Sequence, residues 1–187
     1  MPIPMLRLLA SVLSLALIIS TSATAEPKLE MHRVGVNVDD GSGWYLAVST
    51  KGSFSILLPI PFNDFTTRDD AGTDVHGIGG KSSEGIKFTA VETPVTAKTP
   101  ADLAAIPKSW SSDPANKVSD VSRNTKDDVD NLSFSVGRSA TSMHTRIIRT
   151  KDDKLYVLTI EYPNAYGDLV AGTKDKFFGS FKLKGKS

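Results

Sequence analysis

The sequence predicts an α+β fold: a mainly antiparallel β-sheet of about six to eight strands, with a short middle helix and a C-terminal helix packed on it. Three observations predict it. Apolar residues recur at every second position, most plainly at Phe54, Ile56, Leu58, Ile60 and Phe62, which is the period of a strand with one buried face. The spacing changes to three and four only near the end, at Val170, Lys174, Phe177, Phe178 and Phe181, which places a helix with its aromatic side on the sheet. Short polar clusters such as Asp39 to Gly43 and Lys151 to Lys154 separate the alternating runs, so consecutive strands are joined as hairpins.

The first 25 residues stand outside this pattern. Arg7 supplies a positive start, Leu8 to Ile19 is a twelve-residue apolar run, and Ala23-Thr24-Ala25 ends on small residues. That is the layout of a cleaved secretory signal. The run is short of the about 20 apolar residues that a spanning helix needs, so no membrane anchor is expected after cleavage. Residues 26–187 then form one domain, long enough for a single core. Loss of Arg7 brings the 22 basic residues level with the 21 acidic ones, which all lie after Ala25. A balanced chain has no overall field to gather nucleic acid or an anionic membrane. The absence of Cys excludes disulfides, thiolate ligands and a Cys nucleophile, and in an oxidising compartment it points to a bacterial periplasm or medium.

Along residues 26–187, Val34, Val36 and Val38 alternate on a first strand, and Asp39 to Gly43 turns the chain into Trp44, Leu46 and Val48. With the strand from Phe54 this predicts an antiparallel meander of three. Val75 to Gly80 reads as a strand weakened by three Gly, and Ile86, Phe88 and Ala90 as a clearer one. At Thr99-Pro100-Ala101-Asp102 a capping hydroxyl, a Pro for the first helical position and an acid near the positive end of the dipole start a helix. Pro107 is expected to stop it. Ser109 to Asp130 is polar enough to read as a loop, with a strand possible near Val118 to Val121. Leu132, Phe134 and Val136 open the next strand, followed by His144 to Thr150 and Leu155 to Tyr162.

The early Gly52-Ser53-Phe54-Ser55-Ile56-Leu57-Leu58-Pro59, the late Leu155-Tyr156-Val157-Leu158 and the closing Phe177-Phe178-Gly179-Ser180-Phe181 together resemble the PsbP-like superfamily. That superfamily includes the extrinsic photosystem II subunit, an import factor that binds the GTPase Ran, and uncharacterised secreted bacterial proteins. The resemblance spans most of residues 43 to 183 and lies in packing motifs. It implies an antiparallel sheet with helices on it and a module that works by binding; it assigns no functional residue.

Motifs for chemistry are sparse. In His76-Gly77-Ile78-Gly79-Gly80-Lys81-Ser82, a phosphate loop would need Gly where Val75 stands, and the segment reads instead as a Gly-rich strand. His32, His76 and His144 lack zinc spacing. Asp39 with Asp40, and Asp69 with Asp70 and Asp74, crowd turns that could hold an ion, but Val48 stands where a calcium loop counted from Asn37 needs Glu. Neither Gly-x-Ser-x-Gly nor Ser-x-x-Lys occurs. The stiff exit Pro59-Ile60-Pro61-Phe62-Asn63-Asp64-Phe65 presents aromatic groups that either cap the core or anchor a partner. The expectation is therefore a secreted, non-catalytic binding or accessory protein with no cofactor, whose partner is another envelope protein. Its contact residues are expected among Phe62, Asn63, Asp64, Phe65 and His76. Two alternatives stand beside it: an envelope-polymer hydrolase using carboxylates or His144, and a small-ligand or lipid carrier.

Overall fold

In the computed structural model the described residues are 29–69, 72–96, 99 and 102–185. The expected signal segment, Asp70, Pro100 and Ala101 lie outside them. Among the described residues eleven strands are formed: β1 (Glu30–Val36), β2 (Tyr45–Val48), β3 (Phe54–Leu58), β4 (Phe62–Arg68), β5 (Asp74–Lys81), β6 (Lys87–Pro94), β7 (Lys117–Lys126), β8 (Val129–Gly137), β9 (Thr141–Arg149), β10 (Lys154–Pro163) and β11 (Lys182–Leu183). Helix α1 is Ala105–Ser111 and α2 is Gly167–Gly179, entered through a 3-10 turn at Asn164–Tyr166.

Eight strands make one antiparallel sheet in the order β1-β4-β5-β6-β10-β9-β8-β7, and three make a small sheet in the order β11-β3-β2. The small sheet and α2 cover one face of the large sheet, burying Phe54, Ile56 and Leu58 with Ile78, Phe88, Tyr156, Ile160, Val170 and Phe177. Helix α1 covers part of the opposite face, where Leu103, Ile106 and Trp110 meet Leu132, Phe134, Ile147 and Val157. The chain is thus mainly β with a helix on either side, as alternation through the middle and three-and-four spacing at the end dictate.

Four expectations change. The alternating stripe from Phe54 to Phe62 is real, but it breaks at Pro59 to Pro61 into two strands, one in each sheet, with Phe54, Ile56, Leu58 and Phe62 all buried in the same core. The initial meander of three strands does not form. β1 leaves β2 and pairs with β4, where Met31 faces Phe65 and Arg33 faces Asp64, and only a single bridge, Asp39 to Tyr45, joins it to the hairpin. Val34 and Val38 are accordingly exposed. Helix α1 begins after Ala104 and contains Pro107, which sits in the first turn. The amide lost there has no partner inside a helix, so Pro107 opens the helix and does not end it. The polar stretch before Asp130 is not a loop: β7 fills it, exposed on both faces along most of its length at the sheet edge.

Candidate functional site

Strand alternation sorts the expected contact residues onto two faces. Phe62 and Asp64 point under the small sheet, where Phe62 is 1% exposed and Asp64 0%. Phe62 is therefore a core residue and does not project. Asn63 and Phe65 occupy the opposite face, half-buried. His76, paired in register with Thr66 of β4 and Glu92 of β6, joins the inner set.

The inner set is a dense polar cluster. Asp64 Oδ2 accepts hydrogen bonds from Arg33 Nε (3.1 Å) and Nη2 (2.7 Å) and from the backbone N (2.8 Å) and Oγ1 (2.6 Å) of Thr50. Glu92 accepts from Lys154 Nζ at 2.8 Å and from the backbone N of Ser53. Lys154 also donates to Ser53 Oγ at 2.7 Å. Arg33 donates to the carbonyl of Val48, and Lys184 to the carbonyls of Ser49 and Gly52. Beside them the Thr66 hydroxyl lies 2.7 Å from His32 Nε2 and 3.0 Å from His76 Nδ1. A hydroxyl has one proton to give, so at least one of those ring nitrogens carries a hydrogen. Tyr156, which donates to Glu92, is driven well above the usual phenol range by burial and by that carboxylate. Apart from Asp64 Oδ1, which is buried without a hydrogen-bond partner, the groups named here are bonded to the protein itself, and the small sheet lies on top.

The sequence held a signal for part of this cluster. Asp64 follows Phe62, and Glu92 follows Phe88 and Ala90, on the same two-residue rhythm as the core. An acid in phase with an apolar stripe must be buried and paired. Arg33, Thr50, Lys154 and Lys184 had no such mark, because they come from four distant segments.

His144 sits on the same face near β7. Its Nδ1 is 2.8 Å from Ser135 Oγ and its Nε2 is 3.0 Å from the Tyr162 hydroxyl, and Asp120 is hydrogen-bonded to Ser135. Burial, with Lys174 nearby, holds the imidazole below its ordinary range. Ser135 lies between the carboxylate and the ring, whereas a nucleophilic triad needs the ring between the other two. A shallow cleft lined by Val136, Arg138, Thr141, Ser142, Met143 and Glu161 has room for little more than one water.

In the other candidate ion sites the carboxylates serve their own turns. Asp39 Oδ1 accepts from the amides of Gly41 (2.7 Å) and Gly43 (3.1 Å), and Asp40 Oδ1 from the amide and hydroxyl of Ser42. Asp69 accepts from the Thr73 amide at 2.9 Å and Asp74 pairs with Arg68 at 2.8 Å. Among the described residues no three His, Asp or Glu side chains are disposed to hold a metal ion. No described helix is long and apolar enough to cross a membrane.

The outer set is half-buried. Phe65 lies across Gly77, and neither belongs to a core cluster. Beside Phe65 on the edge strand stands Met31, 40% exposed. Of the nine exposed large apolar side chains among the described residues, Leu29, Met31 and Val34 lie on β1 or directly before it, and Leu46 and Val48 lie on β2 of the small sheet. Asn63 faces the same side, its Oδ1 accepting from the Gly35 amide at 2.8 Å.

No protein-family model matches the chain, and no curated protein matches it. Among solved structures it is similar to the solution structure of cyanobacterial PsbP (CyanoP) from Synechocystis sp. PCC 6803, at 10% identity and a TM-score of 0.49, over 75% of this chain and 92% of that one. The functional reading therefore rests on this chain's own residues.

Proposed function

We propose that this chain is a non-catalytic binding protein of the bacterial envelope, released from its signal segment after Ala25, which engages another protein through the outer face of β1, β4 and β5. The observation that supports this is the pairing of Phe65 with Met31, a half-buried aromatic beside a thioether that is 40% exposed on the edge strand. Interfaces draw on such groups, and single rigid aromatics tend to dominate their energetics. The buried carboxylates Asp64 and Glu92 are occupied in holding the Ser49 to Ser53 turn to the large sheet, and His144 is hydrogen-bonded to Ser135 and Tyr162 within the large sheet.

The test uses residues 26–187 as bait in an envelope extract, beside the variants Met31→Asp and Phe65→Ser. A protein retained by the natural chain and lost from both variants, with their circular dichroism unchanged, is the expected result. No specific retention, or retention indifferent to both substitutions, overturns the reading. Hydrolysis of an envelope polymer that disappears in His144→Gln would replace it with the enzymatic one.

A further inference from the structure

On the side facing away from α1, strands β7, β8 and β9 carry short polar groups in register. Ser119 stands opposite Ser135 and that opposite His144; Ser122 stands opposite Ser133 and that opposite Arg146; Asn124 stands opposite Asn131. Cross-strand partners project to one side of a sheet, and the alternate residues Leu132, Phe134 and Ile147 fill the core beneath α1. The β7 members of these rows are exposed and the β8 members half-buried. Among the described residues the side chains of Ser122, Asn124 and Ser133 bond to no other group.

Two cations stand where these rows meet α2. Arg146 is half-buried. Its Nη1 donates to the Phe178 carbonyl at 3.0 Å and its Nη2 to Asn131 Oδ1 at 2.9 Å, which occupies two of the five N–H groups of a guanidinium. Lys174, one turn of α2 before Phe178, acts on both His144 and Asp120. Neither cation is in an ion pair among the described residues. Burial alone lowers the pKa of Arg146, with no acid to offset it. A cation taken partly out of water without an anion carries a cost that a bound anion removes.

We propose that this corner binds an acidic sugar, its acid group on Arg146 and Lys174 and its hydroxyls along Ser122, Asn124 and Ser133. Hydroxyl and amide side chains both donate and accept, as a polyol requires. Asp120, tied to Ser119 and Ser135, only accepts, and so turns the acid group of the ligand towards α2. The site lies apart from the face of β1, β4 and β5, and it stands or falls separately from protein contact there.

Titration of isotope-labelled residues 26–187 with glucose 6-phosphate, glucuronate, inorganic phosphate and glucose, followed by amide NMR shifts, tests this. Both sugar acids are expected to shift Ser133, Ser135 and Arg146, while inorganic phosphate binds about tenfold more weakly and glucose leaves the spectrum unchanged. Lys174→Gln and Ser133→Ala should weaken the acids by about tenfold and about threefold, the worth of a charged and of a neutral hydrogen bond. Arg146→Gln should abolish the shifts. That side chain also holds the Phe178 carbonyl, so if the variant fails to fold, Lys174→Gln decides. No shift on β8 and β9, inorganic phosphate as tight as the sugar acids, or an affinity unchanged in Lys174→Gln overturns the proposal.

Discussion

The ring of Phe65 lies against the backbone of its cross-strand partner Gly77: a Cβ on Gly77 would stand 2.4 Å from Phe65 Cζ and 2.6 Å from Cε2. The ring shields a strand glycine that has no side chain of its own to pack. Gly77→Ala should therefore displace Phe65, and because the half-buried ring can give way, the cost is expected at the low end of overpacking, about 1 kcal/mol. A urea titration measures it. In the Phe65→Ala background the same change should cost far less, and equal costs in both backgrounds would disprove the contact.

Asp64 is tied at one oxygen to Arg33 and to Thr50, out of solvent. Asp64→Ala leaves the guanidinium and the turn amide without their acceptor, and removing one partner of a buried pair typically costs about 3–5 kcal/mol. Arg33 is partly exposed, so the lower end is expected. Arg33→Met in the Asp64→Ala background should recover part of the loss, as a double-mutant cycle in urea would read.

His144 titrates with a definite sign. Burial holds its native pKa below the ordinary imidazole value of 6.5, so around and below that value the unfolded chain binds more protons than the native one. Stability then rises with pH. Its contribution is complete above about pH 7 and is lost as pH falls through 6.5 towards the native pKa. His144→Gln should flatten the stability profile between pH 7 and pH 5. A ring-proton NMR titration of the natural protein should place His144 below the free imidazole; a midpoint above it would reverse the sign.

Tyr156 and Tyr162 are both pushed up by burial, Tyr156 further through Glu92. A phenol raised in the native state stabilises it below the ordinary value near 10 and releases that stability as pH climbs beyond. Absorbance at 295 nm should therefore stop short of four phenolates at about pH 11 and reach four only as the protein unfolds. Full ionisation with native circular dichroism would contradict this.

Alternation made the core legible in advance, since Phe54, Ile56, Leu58 and Phe62 are all buried as their spacing requires. What it could not reveal is the change of sheet at Pro59 to Pro61, because parity along a chain is preserved across a bend. β7 was hidden for the opposite reason: an edge strand wet on both faces has no apolar period to detect. The candidate site divided in the same way. Phase with the core marks Asp64 and Glu92 as buried acids, whereas their partners Arg33 and Lys154 are 31 and 62 residues away, and pairing over such distances is set by strand order. The half-burial of Phe65 depends on strand order too, since the placement of β1 beside β4 decides what surrounds it.

The β7 to β8 turn holds Asp127 and Asp128 at φ of 52° and 60°. Two consecutive left-handed residues are the signature of the tight hairpin turn that matches strand twist, and Gly is its preferred second residue. Asp tolerates this conformation better than most residues, yet it still carries a Cβ that Gly lacks. Two adjacent acids in the turn also repel each other. Asp128→Gly should therefore stabilise the hairpin by about 0.5–1 kcal/mol, with amide exchange slowed at Lys126 and Val129, the residues paired across it. Asp128→Val, which is β-branched and disfavoured at positive φ, should lower the urea midpoint instead. A Gly variant no more stable than the parent would mean that the turn is free to adopt another form.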